Sequence, residues 1–225
     1  MIYNVIPINY FGGAGGQFLS SFLYAARENK SVNWIFSDSG NLHSYDKDWC
    51  TPPPDFNTDF TGMMNPNHLV EYANTIPEDI IVYLHGHYAD PDLLMTHVNK
   101  QIKIYFEPEQ LYEIVGMFLL KNPKHAFDNL TDPEQLARYK NHNMIKWAPI
   151  AAKKFVRLCN NCPDLEPRML NISWNDMLYN DPEILISKLH QYTQIPKENF
   201  NRDKFNEWRM LNYKTVNRLK QAGLI

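Results

Sequence analysis

The chain has 225 residues, 44% of them hydrophobic and 21% charged, a balance that excludes a disordered segment and fits a globular protein with one substantial core. Its formal net charge of −3 excludes a general electrostatic attraction to nucleic acid or to an anionic membrane. Aromatic residues reach 13%, enough to line a pocket as well as to fill a core.

The three cysteines, Cys50, Cys159 and Cys162, are an odd and sparse count that argues against a disulfide framework and fits a reducing compartment. Cys159-Asn-Asn-Cys162 has the spacing of half a zinc site, but no second pair completes it, and no metal is expected. The first residues, Met1-Ile-Tyr-Asn-Val-Ile-Pro7, show no basic region and no signal-peptide core. The longest apolar run, Ile114–Leu120, is far too short to span a bilayer, so a cytoplasmic protein is expected.

In chain order, residues 2–8 read as a strand, followed by the glycine loop Gly12–Gly16 and a helix from about Gln17 to Asn29. Phe18, Phe22 and Ala25 give that helix an apolar face. Residues 31–65 are the least regular stretch, with Pro52-Pro53-Pro54 and many Asp, Asn and Gly residues. A buried strand is expected at Ile80–Leu84, then His85-Gly-His87 and a short helix opened by Asp90-Pro91. Ile102–Phe106 reads as another strand. Glu107-Pro108-Glu109 opens a helix with Leu111, Ile114, Val115 and Phe118 on one face. Asp132-Pro133-Glu134 and Asp181-Pro182-Glu183 are helix starts, each with a capping side chain, an early proline and an acid at the positive end of the dipole. Between them lie a long helix near 143–159 and a strand near Met169–Ile172. The tail carries Arg202, Lys204, Arg209, Lys214, Arg218 and Lys220 against Asp203 and Glu207, which reads as a solvated helix face. No repeat or linker divides the chain, so a single domain over 1–225 is expected. Strands separated by helices predict a three-layer α/β sandwich with a mostly parallel central sheet.

The loop Phe11-Gly-Gly-Ala-Gly-Gly-Gln-Phe-Leu19 carries the main functional signal. Between a strand and a helix, glycines let backbone N–H groups turn inward toward an anion, and the helix end adds partial positive charge. The residues expected to bind are Gly12, Gly13, Ala14, Gly15, Gly16, Gln17, Phe18 and Ser20. The loop does not match G-x-x-x-x-G-K-S/T, because Gln17-Phe18 stands where lysine and a hydroxyl residue belong, and it misses the last glycine of G-x-G-x-x-G. His85 and His87 are candidate general bases, since open α/β sheets place their sites at the carboxyl ends of strands.

Taken in order, these segments resemble the sulfotransferase family. Its phosphosulfate loop, Y-P-K-S-G-T-T-W-L, is similar to Phe11–Leu19, and its T-H-L segment is similar to Leu84-His85-Gly-His87. Its K-I-x-Y-x-x-R-D/N-P segment is similar to Lys103-Ile-Tyr-Phe-Glu-Pro108, and its Y-E-D-L-x-x-D-P element to Trp174-Asn-Asp-Met-Leu-Tyr-Asn-Asp-Pro182. Gly13, Phe106 and Ile114 stand where the family has lysine, arginine and serine. The resemblance implies a P-loop-like fold and transfer of a sulfuryl group from the co-substrate 3′-phosphoadenosine 5′-phosphosulfate (PAPS). The acceptor would be a hydroxyl or amine on a small molecule or glycan, with His85 or His87 as base. A non-catalytic nucleotide- or anion-binding descendant and a divergent P-loop phosphotransferase are the alternatives.

Overall fold

The computed structural model describes residues 1–30, 34–36, 42–44, 63–64, 66–88, 91–121, 125, 127–147, 149–150 and 167–225. Strand β1 (Val5–Asn9) is buried at every residue, as a strand must be that has neighbours on both edges and helices on both faces. It is the middle of a parallel sheet whose order is β4 (Met63–Met64), β5 (Val82–Tyr88), β1, β6 (Gln101–Tyr105), β7 (Met169–Ser173). Four of these are full strands, and β4 is a two-residue edge. A separate antiparallel ribbon joins β2 (Ile35–Phe36) to β3 (Leu42–Ser44). The class is therefore α/β with an open, all-parallel main sheet.

Side-chain alternation divides β1 between two cores. Ile6 and Ile8 belong to the larger one, which is filled by α1 (Gly16–Glu28), α4 (Leu111–Lys121), α6 (Trp174–Leu178), α7 (Pro182–Thr193) and α8 (Arg202–Gln221). Val5 joins the smaller one with Val82 and Leu84, under α2 (Pro66–Ala73) and α3 (Pro91–His97). After β1 the chain adds β4 and β5 on one side, then crosses to place β6 and β7 on the other. The order of strands thus reverses at β1, and the crevice that such a reversal opens lies at its carboxyl end.

The element boundaries differ from the sequence reading where tertiary pairing takes over. Ile2 makes only an isolated bridge to Val98, so the first strand begins at Val5. The strand expected at Ile80–Leu84 starts at Val82 and runs through both histidines, because β4 pairs with His87 and Tyr88. Glu107 opens a 3-10 turn before α4, with Gln110 returning its side chain to the Glu107 N–H. Asp132 and Asp181 cap α5 (Pro133–Asn141) and α7 as their sequences dictate, accepting from Glu134 N at 3.1 Å and Glu183 N at 2.9 Å. Residues 143–147 and 149–150 of the expected long helix are helical. The rest of that helix, Cys159, Cys162, Cys50 and the triple proline lie outside the described residues.

The basic tail is more than a solvated face. Arg209 is buried and donates twice to the Leu178 carbonyl, closing the last turn of α6. Arg218 donates to the carbonyls of Phe127 and Asp128, and Arg202 pairs with Glu183. Glu113 on α4 ties in α6: Trp174 Nε1 donates to Oε1 at 2.6 Å and the Tyr179 hydroxyl to Oε2 at 2.5 Å. Burial, with that carboxylate alongside, pushes the Tyr179 hydroxyl far up.

Glu113→Ala would leave one buried and one half-buried donor, on Trp174 and Tyr179, without their acceptor, each such bond contributing about 1.5–3 kcal/mol. A loss of ~3 kcal/mol in urea denaturation is expected; a loss under ~1 kcal/mol would mean that water takes the carboxylate's place.

Candidate functional site

The glycine loop lies at the carboxyl end of β1, where the strand order reverses. Gly13 and Gly15 have φ of 96° and 81°, the left-handed region that favours glycine. Gly15 is the N-cap of α1, with no capping side chain and no acid in the first turn. The Ala14 N–H returns to the Phe11 carbonyl at 2.9 Å, which closes the turn. The strand–loop–helix geometry that can present backbone N–H groups to an anion is therefore present.

The glycines also answer to packing. A Cβ on Gly13 would stand 2.5 Å from the Ile114 carbonyl oxygen and 3.0 Å from Phe118 Cβ, both on α4. One on Gly15 would stand 2.6 Å from Trp208 Cζ2 on α8, and one on Gly16 would run into the Tyr10 ring. Two helices and an aromatic ring thus close on the loop from the protein side. Gly12, Gly13, Gly15 and Gln17 keep part of their surface exposed, while Ala14 and Gly16 are buried.

Two of the expected binding residues face inward. Phe18 is 2% exposed and stacks on Trp208 at 4.6 Å, with Phe22, Trp34 and Phe205 around it. Ser20 is fully buried, and its hydroxyl donates to the Tyr83 carbonyl, tying α1 to β5. Phe18 holds α1 to α8 and Ser20 holds it to the sheet, so both side chains serve packing. Phe106 and Ile114 are likewise core residues, Phe106 meeting Phe11 edge-on at 5.7 Å.

Parallel pairing sets His85 opposite Ile8 and Gly86 opposite Asn9, so the His85–His87 segment runs beside the strand that enters the loop. His87 pairs with Met63 on its other edge. The side chains of both histidines lie outside the described residues.

Sequence reasoning missed Tyr10 and Trp208 as partners of the loop. Trp208 follows the glycines by most of the chain's length, and no local pattern links them. Trp208 also brings a cation: Lys121 Nζ, at the end of α4, sits 5.8 Å from the indole centroid. Lys121 is half-buried, and desolvation brings its pKa down from 10.5 to about 7. Among the described residues no cluster of three or more His, Cys, Asp or Glu could hold a metal, and no helix is long and apolar enough to cross a membrane.

No protein-family model, curated protein or solved structure matches the chain.

Two expectations follow from this geometry. Gly16→Ala should destabilise by about 1–3 kcal/mol through overpacking against Tyr10, and Tyr10→Ala in the same chain should remove most of that penalty. Additive losses in the double mutant would show that the ring is not what Gly16 accommodates. Lys121 holds its proton up to about pH 10.5 in the unfolded chain but only to about 7 when folded. Between those values the unfolded state binds more protons, so stability should rise with pH. Thermal denaturation of Lys121→Met across pH 7 to 10.5 should lack that rise.

Proposed function

We propose that the glycine loop binds the oxyanion of a nucleotide, and that the chain is a sulfotransferase-like protein using PAPS as donor. The observation that carries this reading is positional. Two left-handed glycines at the carboxyl end of the central strand, at the point of strand reversal, lead directly into an uncapped helix.

In this reading the N–H groups of Gly13 and of residues 15–17 hold the sulfate or 5′-phosphate, the Ala14 N–H being used by the turn, and Gln17, partly exposed in the first turn, adds a side-chain amide. The acceptor oxygen or nitrogen forms a bond to sulfur as the bond from sulfur to the bridging phosphosulfate oxygen breaks. The acceptor's proton passes to His85 or His87, and adenosine 3′,5′-bisphosphate leaves. Fixed N–H donors around the moving sulfuryl group and the leaving phosphate supply most of the catalysis, and the step requires no metal. The acceptor would be a hydroxyl or amine on a small molecule or glycan.

A second reading, a non-catalytic anion- or nucleotide-binding descendant of such a fold, draws on a different observation. Gly13, Gly15 and Gly16 are each pressed against protein atoms, so packing alone would require glycine there.

Thermal shift against adenosine 3′,5′-bisphosphate, ATP with magnesium, NAD and sulfate separates the possibilities. A ligand at 100 times its Kd adds about 2.7 kcal/mol, or roughly 5–10 °C for a chain of this size. Stabilisation by the bisphosphate and not by NAD is the expected result, and PAPS turnover by the same protein would then separate enzyme from binder. Stabilisation by ATP only with magnesium would point to phosphoryl transfer. A protein that none of the four stabilises would make the loop a packed turn.

A further inference from the structure

We propose that Lys121 is the cation of the glycine-loop site, reaching the bound anion from α4 rather than from the loop itself. The proposal rests on the anion-binding reading above and assigns that site the charge its own loop lacks. Residues 10–17 carry no ionisable group except the Tyr10 phenol, so any positive side chain must come from another element.

Two contacts fix where Lys121 lies. Phe118 touches Gly13, and Lys121 follows Phe118 by three residues on the same face of α4. Trp208 touches Gly15, and Lys121 Nζ sits over that same indole at 5.8 Å. The ammonium thus lies over one of the two side chains that close on the left-handed glycines, at the end of the helix that carries the other. The neighbouring charges are committed elsewhere. On α4, Glu113 accepts from Trp174 and Tyr179; on α8, Glu207 pairs with Lys204 at 2.7 Å and Arg209 donates to Leu178. On α6, Asp176 pairs with Lys188 at 2.7 Å. No carboxylate on these elements is directed to Lys121 by a described ion pair.

A lysine so placed is neutral for part of the physiological range when the site is empty, and an arriving anion favours its protonated form. Binding should then take up a proton as pH rises past neutrality, which a backbone-only site would not do.

Sulfate is the suitable probe, because it stays a dianion from pH 6 to 9. Its affinity is measured from the amide NMR shifts of the loop at constant ionic strength, for the wild type, Lys121→Met and Lys121→Arg. In the wild type, affinity should fall with pH, approaching tenfold per unit at the alkaline end. Lys121→Met should bind at least tenfold more weakly at pH 6.5 and show no pH dependence. Lys121→Arg should keep the affinity and also lose the pH dependence, since the guanidinium stays charged. Wild-type sulfate affinity that is flat with pH, or equal in Lys121→Met, overturns the assignment of Lys121 while leaving the loop as the anion site. Absence of sulfate shifts in the wild type at every pH overturns the loop reading, and this proposal with it.

Discussion

Trp208 stacks on Phe18 at 4.6 Å and presses its benzo edge against Gly15, so a side chain of the last helix clamps both the loop and the first helix. The stack continues to Phe205 at 6.0 Å from Phe18, with Phe22 and Trp34 completing the cluster. Each aromatic pair contributes about 0.5–1.5 kcal/mol beyond its buried area, and large flat rings fill the space above the sheet with little entropy to lose. The contact sets the distance between α1 and α8, and only a residue without Cβ fits beneath the indole. The glycine loop is thereby a product of core packing as much as of any ligand.

Helix α4 is the second constraint. Its backbone at Ile114 and the side chain of Phe118 lie against Gly13, and Gly116 leaves room for the Tyr139 hydroxyl and the Leu219 side chain. Glu113 anchors α6 from the same helix, and Lys121 ends it beside Trp208. One helix therefore carries a buried carboxylate that holds structure and a desolvated amine beside the ring that closes on Gly15. The two groups differ in role because Glu113 has two donors to satisfy it, while Lys121 faces an aromatic ring. Ser20, bonded to the Tyr83 carbonyl, fixes α1 from the opposite side. The loop is held by α4, α8 and the sheet at once, a rigid support of the kind on which a binding site can be precise.

The amino-acid sequence by itself determined the local elements. Apolar periodicity specified α1 and α4, the two Asp-Pro-Glu starts placed α5 and α7, and the buried runs around residues 5–9 and 101–105 specified parallel strands. The strand–glycine–helix order of the loop was legible for the same reason: each signal acts over a few residues, within reach of one turn or one cap. Tertiary structure alone decided that β5 runs through the histidines, since the extra ladder comes from β4, and that Phe18 and Ser20 face inward, since Trp208 and Tyr83 claim them. It also decided why three loop positions exclude a side chain and which cation stands over Trp208. Apart from the local contact of Gly16 with Tyr10, those answers depend on residues far apart in the chain, such as Gly13 with Ile114 and Gly15 with Trp208, and hydrophobic patterning records only that a face is buried, not what it is buried against.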